Sequence, residues 1–504
     1  MSAARPPEGA RTAARQGEGS KVPHTFLWHD YETFGVVPRR DRPAQFAAIR
    51  TDAELNEIGE PIMLYCQPAP DYLPDPASCL ITGITPQLCL ERGLPEAEFA
   101  ARIEAAFSQP GTIGVGYNTI RFDDEVTRFL FWRNLIDPYA REWQNGCGRW
   151  DLLDVVRLTH ALRPDGIQWP QSSAEEGGGP SFRLEHLSAA NGLAHDAAHD
   201  ALSDVRATIA LARLIRQAQP KLFDFALALH KKDRVASELG LPTSPQTARP
   251  FLHVSGMFGT ERGCLALMWP LAMHPNNKNE LLAWDLAHDP RQLDGLTVED
   301  ARLRLYTRAA ELPPGVARLP LKSVHLNKSP MVVGSLKTLT PAMAARWGLD
   351  LTAQLQNAAH AAALPDLSAL WDGLLRREPQ ATPDVDEDLY GGFIGPADRR
   401  RLNQLRQQAP QQLATARHSF DDGRLEELLF RYRARNFPDT LSEDEQERWL
   451  QHRAARLIEG EGGVRNVDQL LEELDRHGQD ADERATEILE ALHAYVEDIT
   501  ADLS

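Results

Sequence analysis

In TFLWHDYETFG, residues 25–35, an apolar run leads into two carboxylates that stand two positions apart, Asp30 and Glu32. On a β-strand, side chains at i and i+2 point to the same face. The pair therefore projects together at the end of a strand whose other positions are apolar, and Tyr31 turns to the opposite face, into the core. Adjacent carboxylates repel each other unless a cation lies between them, and hard divalent cations take oxygen ligands. The stretch predicts a metal site at a strand end. D-x-E also decorates ordinary acidic surfaces, so the reading depends on what the rest of the chain supplies.

A chain of 504 residues is too long for one ordinary core and predicts about two to four domains. No apolar run approaches the roughly 18 residues of a membrane span. The first 24 residues lack the apolar segment of a secretory signal and read as a disordered tail. Cys66, Cys79, Cys89, Cys147 and Cys264 are scattered and form no C-x-x-C pair, which fits a reduced, cytoplasmic compartment without disulfides or zinc. The net charge of −18 argues at face value against a nucleic-acid partner. Its distribution reverses that argument. From Leu441 to Ser504 there are 18 acidic and 6 basic residues, a local balance of −12, so the rest of the chain is near enough to neutral to carry a basic groove.

Period-2 patterning predicts strands over Thr25–Asp30, Ala44–Thr51 and Pro61–Cys66, joined as an antiparallel meander. Leu80–Thr85 reads as a short apolar turn. Helical spacing follows over Glu96–Phe107, a strand over Thr112–Tyr117, and helices over Asp123–Leu135, Trp150–Leu162, Phe182–Asn191 and His199–Arg216. This is an α/β pattern. Beyond a polar, Pro-bearing stretch at Gly240–Pro250, short apolar runs from Phe251 to Leu336 predict a small mostly-β domain with helical insertions. A second linker, Arg376–Asp388, precedes an all-helical remainder. The expected divisions are a tail at 1–24 and domains at 25–219, 220–378 and 379–504.

The carboxylate pair finds candidate partners. In GYNTIRFD a strand ends, a polar loop crosses and Asp123 opens a helix; such an Asp is equally a cap. In HDALSD, His199 stands at the start of the long helix and Asp204 five residues later. Asp30, Glu32, Asp123 and Asp204 are thus four acids at strand ends or helix starts of one domain. Around one cleft they are tolerable only with about two divalent cations, the geometry of in-line phosphoryl displacement. A nearby histidine supplies a group that can deprotonate water near neutral pH.

The order D-x-E, N-x3-F-D, H-x4-D resembles the DEDD exonuclease superfamily in its histidine-bearing subclass. HDYETFG, DRPAQFAAIRTD, LITGITP, GYNTIRFDDEVTR, RWDLLDVVR, PSFRLEHL, HVSGMFG and RARNFP together resemble bacterial exonuclease I, from about residue 25 to the end. The resemblance implies an α/β, ribonuclease H-like exonuclease domain with a mixed sheet, a small SH3-like β-barrel domain and a C-terminal all-α domain. It implies removal of mononucleotides from the 3′ end of single-stranded DNA. Asp30, Glu32, Asp123 and Asp204 would hold two Mg²⁺ ions (Mn²⁺ a substitute), and His199 would be the general base. Glu32 and Arg183 would meet the substrate. It further implies a monomer with no membrane association, and a partner in single-stranded DNA-binding protein, whose acidic tail needs a basic pocket to which Arg163 is suited.

Residue chemistry adds strand contacts, because a single strand needs cations for its phosphates and aromatic faces for its bases. Arg128, Tyr139, Trp143 and Arg157 are the candidates in the first domain, with Trp132 and Trp150 assigned to core packing. Lys322, His325, Asn327 and Lys328 (KSVHLNK) read as a strand edge facing DNA. Arg431, Arg433 and Arg435 (RYRARNF) form a basic cluster with no acid inside it. The same catalytic motifs suit a 3′–5′ exoribonuclease, and the whole chain could act as a non-catalytic single-strand binder.

Overall fold

The computed structural model describes residues 24–173, 178–194, 200–244, 247–376, 383–415 and 419–503. Its first unit is built on a mixed five-stranded sheet of β1 (Thr25–Thr33), β2 (Pro43–Thr51), β3 (Ile62–Tyr65), β4 (Thr112–Gly116) and β5 (Gly148–Asp151), in the order β3-β2-β1-β4-β5. β1 runs antiparallel to β2 and parallel to β4, so it lies at the centre, where the sheet changes direction. β1 does not stop at Asp30 as expected. It continues through Glu32 to Thr33, and its register against β2 shifts only there.

Alternation along β1 sorts the residues between two cores. Phe26 and Trp28 face a cluster with α5 (Leu152–Leu162) and α7 (Ala201–Ala218), and Asp30 and Glu32 continue that face. Leu27 and Tyr31 face α3 (Glu96–Phe107) and α4 (Asp123–Arg133) on the other side. Tyr31 is 4% exposed, so the expectation for its direction holds. Trp132 and Trp150 are fully buried, as expected.

Two expectations fail for local reasons. The apolar turn at Leu80–Thr85 is part of a pair of short helices, α1 (Pro76–Thr82) and α2 (Pro86–Arg92). Asp75 and Thr85 cap them through their side chains and each is followed by Pro, the pairing of cap and fixed φ that starts a helix. The helix expected from Trp150 begins at Leu152, because Gly148–Asp151 is a short strand buried at every position and so has no alternation to read. α6 is Leu184–Ala190.

α8 (Pro220–Ala228) and α9 (Lys232–Glu238) lead into a second, all-antiparallel sheet of β6 (Phe251–Val254), β7 (Leu265–His274), β8 (Asn277–Asp285), β9 (Leu321–His325) and β10 (Met331–Val333), in the order β10-β6-β7-β8-β9. Four helices accompany it: α10 (Val298–Tyr306), α11 (Pro341–Arg346), α12 (Leu351–Ala362) and α13 (Ser368–Leu374). Its apolar core is continuous with the α5/α7 side of the first sheet. Trp347 donates its indole N–H to the Ala161 carbonyl at 2.9 Å across this junction.

The remainder is helical: α14 (Pro396–Leu405), α15 (Pro410–Thr415), α16 (Arg424–Asn436), α17 (Glu443–Leu457), α18 (Val467–Gly478) and α19 (Glu483–Thr500). Leu402, Leu405, Leu425, Leu428 and Tyr432 pack onto Phe129 and Trp132 of α4. The linker expected at Arg376–Asp388 is only partly a linker. Its residues 377–382 lie outside the described residues, while Val385–Gly391 forms a tight helical turn whose Val385 carbonyl accepts the Trp132 indole N–H at 2.8 Å. All five cysteines are buried and free. No described helix is long and apolar enough to cross a membrane.

The RYRARNF cluster is the largest correction. Arg431 and Arg433 are buried, the Arg435 side chain is only 3% exposed, and their acids lie outside the RYRARNF run. Arg435 bonds Asp71 at 2.6 Å and also Asp386; Arg431 bonds Asp384 at 2.7 Å and Glu427 at 2.8 Å; Arg433 bonds Glu445 at 2.7 Å. Arg42 joins from β2's approach, 3.4 Å from Asp386. These cations tie the helical region to the first unit and are not presented to a ligand. Removing one partner from such a buried network strands the other charges. Asp386→Ala is expected to cost about 3–5 kcal/mol, read as an earlier urea transition by circular dichroism. Arg291→Ala, which breaks an exposed pair, should leave the transition where it is.

Candidate active site

The end of β1 and the start of α7 converge. Carboxylate oxygens of Asp30, Glu32 and Asp204 all lie within 4.8 Å of one another. Local chemistry explains why Asp204 arrives there. Asp200 caps α7 by accepting the Ser203 N–H at 3.0 Å, so the helix begins at Ala201 and Asp204 falls in its first turn. Val205, Ile209 and Ala212 below it are buried in the cluster that contains Trp28.

Asp123 is the first residue of α4 and is 3% exposed. It stands outside the tight trio. Its Oδ1 accepts the backbone N–H of Tyr31, the residue between Asp30 and Glu32, at 3.1 Å. The structure therefore brings four acids to one end of β1, three as side chains facing each other and one bonded to the strand itself. His199 lies outside the described residues.

The electrostatics fit a cation. Burial, and the neighbouring Asp123, Glu32 and Asp204, hold the Asp30 carboxyl well above the usual range. Burial, followed by Asp204 and Asp123, pushes Glu32 up to about 8. Burial pushes Asp123 up to about 8. Without a positive charge these groups keep protons that carboxylates elsewhere lose. Three oxygen donors within one ion's reach are the donor set of a hard divalent metal. Asp124, next to Asp123, is different in kind. It bonds Arg141 at 2.5 Å and Arg149 at 3.2 Å, and those guanidiniums hold it well below the usual carboxylate range despite its burial.

The remaining candidates divide. Arg183 is exposed and opens α6. Trp143 is 64% exposed. Tyr139 is half-buried under the Arg128 guanidinium, 5.2 Å from its ring centre. Arg128 itself is 5% exposed. It bonds Glu142 and Glu125, each at 2.7 Å, and the Tyr390 hydroxyl, so its charge is neutralised inside the protein and does not face a strand. Arg157 is half-buried and bonds Asp154 at 2.7 Å. On β9 and the loop after it, Lys322 is half-buried with its pKa lowered to about 8 by burial and by Arg121. His325 stands 3.9 Å from Glu280, and Asn327 is exposed. Lys328 is half-buried with a lowered pKa, chiefly from burial. Arg163 lies at the junction with the second sheet, donating to the Leu162 carbonyl at 2.5 Å.

Two residues were not chosen as site residues from the sequence. Arg121, on the loop before Asp123, is exposed, and like Lys322 makes no ion pair among the described residues; the two cations come from different units. Its only sequence mark is its place in N-x3-F-D. Asp151 ends β5 at 3% exposure beside the same loop; the apolar run after it marks a helix cap.

Three family models match the chain. One described as exonuclease matches residues 27–212, one described as the exonuclease I SH3-like domain matches 230–377, and one described as the exonuclease I C-terminal domain matches 383–499. The exodeoxyribonuclease I of Escherichia coli (strain K12) is 46% identical over 481 residues, 95% of this chain and 99% of that protein. A moderately thermophilic exonuclease I from Methylocaldum szegediense superposes with a TM-score of 0.89 at 49% identity, covering 95% of this chain and all of the other. The zinc-bound E. coli exonuclease I in complex with single-stranded DNA superposes with a TM-score of 0.87 at 45% identity, again over 95% of this chain and all of the other. The chain belongs to the exodeoxyribonuclease I family.

Proposed function

We propose that this chain degrades single-stranded DNA processively from the 3′ end and releases 5′-mononucleotides, acting in DNA repair and recombination. The observation that carries the reading is the trio Asp30, Glu32 and Asp204 within 4.8 Å, in which burial and the neighbouring acids push the Asp30 and Glu32 carboxyls upward. Asp30, Glu32, Asp123 and Asp204 would hold two Mg²⁺ ions, with Mn²⁺ as a substitute. Such ions supply Lewis acidity, acidifying a bound water and balancing charge on the leaving 3′ oxygen. The E. coli relative's complex with zinc and single-stranded DNA supports both the metal and the substrate.

The protein's own contribution is placement and proton transfer. A ring nitrogen of His199 takes the proton of the attacking water. Arg183 meets a phosphate with its forked guanidinium. Arg121 and Lys322, two cations close enough for Arg121 to lower the Lys322 pKa, suit the phosphates of the incoming strand. Arg157, Trp143, Tyr139, His325, Asn327 and Lys328 extend that path. The working divisions remain 25–219, 220–378 and 379–504, in a monomer of the bacterial cytoplasm.

The direct test is mononucleotide release from 3′-hydroxyl and 3′-blocked single strands and from duplex, in Mg²⁺ and in EDTA. Release is expected only from the free single strand in Mg²⁺. Asp30→Ala should abolish it, and His199→Ala should cut the rate by roughly 10²–10⁴-fold while keeping metal affinity. Absence of release in Mg²⁺ would leave a strand binder, not a nuclease.

Raised carboxyl pKa values also make a stability prediction. The folded, metal-free protein binds protons that the unfolded chain releases near pH 4, so this contribution is present in acid and is lost as pH rises toward about 8. In EDTA, Tm should therefore fall between pH 6 and pH 8 more steeply in the wild type than in Asp30→Asn. The Tm gain on adding Mn²⁺ should be larger at pH 8 than at pH 6. Equal gains at both pH values would count against the carboxylate site.

The family also suggests that the acidic C-terminal tail of single-stranded DNA-binding protein is a partner, with Arg163 part of its pocket. A labelled tail peptide should lose affinity for Arg163→Ala in fluorescence anisotropy; unchanged binding would move the pocket elsewhere.

A further inference from the structure

The loop between β4 and α4 carries Asp123 to the site, and its shape needs an explanation. Gly116 has no room for a side chain, because a Cβ there would stand 2.1 Å from Thr119 Cγ2 and 2.5 Å from the His29 carbonyl oxygen. Asn118 is held left-handed at φ +67°. Asn is among the few non-glycine residues that adopt this region readily, so the turn is permitted locally, and its backbone N–H groups are what need partners. The restraint comes from a different strand. Asp151, at the end of β5, accepts three backbone N–H groups. Asn118 donates to its Oδ1 at 2.9 Å, Ile120 to its Oδ2 at 3.1 Å, and Leu153 to its Oδ1 at 3.0 Å. Only the last of these is the ordinary bond of a helix cap. The other two reach across to the loop.

The restraint is transmitted in one direction. Thr119, between the two held N–H groups, turns its carbonyl to the N–H groups of Phe122 at 3.2 Å and Asp124 at 2.8 Å, and so starts α4. Asp123 lies between those two residues and closes the chain of bonds on Tyr31 of β1. We propose that Asp151 is a positioning residue for the metal site: its carboxylate fixes the loop Asn118–Ile120 and, through it, the place of Asp123 relative to Asp30 and Glu32. Asp151 touches neither substrate nor metal. Its work is orientation, as the partners behind metal ligands generally do, and their loss typically lowers metal affinity or activity by about 10–100-fold.

The inference rests on the proposed metal-dependent nuclease reading, and the test separates the two. Asp151→Ser keeps an oxygen that can cap α5 at Leu153 but is too short to reach the loop. Asp482→Ala, which removes the cap of α19 far from the site, serves as a control for lost stability. Mn²⁺ affinity is measured by calorimetry, and kcat and KM on a single-stranded oligonucleotide, well below each Tm. Asp151→Ser is expected to lose roughly 10–100-fold in Mn²⁺ affinity or in kcat, with KM for the strand unchanged. Asp482→Ala should lose Tm alone. Asp151→Asn, which retains an acceptor for Asn118 and Leu153 but faces the Ile120 N–H with an amide N–H, should fall between. Wild-type Mn²⁺ affinity and kcat in Asp151→Ser would overturn the inference and reduce Asp151 to a cap. If the wild type binds Mn²⁺ but releases no nucleotide, the nuclease reading fails, and the Mn²⁺ affinities still decide the role of Asp151.

Discussion

Mutual repulsion among Asp30, Glu32 and Asp204 is the force against which this end of the molecule is built. Three carboxyl groups within one ion's reach either keep protons or push apart, and a rigid frame holds them in place through both. The frame is visible in each approach. β1 is hydrogen-bonded on both sides at the centre of the sheet. α7 is capped by Asp200 and packed along β1 and β2. α4 is started by a pinned loop and bonded to the β1 backbone through Asp123. A site on flexible loops would relieve the same repulsion by moving.

Elsewhere the protein treats charge in the opposite way. The side chains of Arg42, Arg133, Arg141, Arg149, Arg431 and Arg435 are all buried, and each faces a carboxylate. Two of these pairs, Arg435 with Asp71 and Arg42 with Asp386, join segments hundreds of residues apart. Buried pairs of this kind add little net stability over apolar packing, and they penalise any arrangement that leaves one partner alone. They fix which surfaces meet. The contrast with the acids at the end of β1 is informative: where a positive partner is built in, as at Asp124, the pKa falls; where it is left out, it rises.

That contrast also marks what could be read from the chain alone. The strand–helix framework of the first unit and the four acids were legible, because alternation, helix starts and the i, i+2 rule are local. Tyr31's direction followed from the same rule. RYRARNF misled because a basic run looks solvated when its acids, Asp71, Asp384, Asp386 and Glu445, lie outside the window being read. Arg128 misled for the same reason, through Glu142. β5 escaped because a strand buried on both faces has no period. Asp151 was hidden inside an expected helix; it caps that helix, and its second attachment, to a neighbouring strand's loop, appears only when parallel strands are laid side by side.

The helical turn Val385–Gly391 lies against α4, whose first residue is Asp123. Trp132 is bonded to Val385, and Tyr390 bonds both Glu125 and Arg128. Phe129, Trp132 and Leu135 find their apolar neighbours largely among residues after 384. The nuclease sheet is consequently not a cassette that can be cut out and carried to another protein. A fragment ending after α7 would keep Asp30, Glu32, Asp123 and Asp204 and lose the cover of the helix that opens with Asp123, so the last quarter of the chain is inherited with the site.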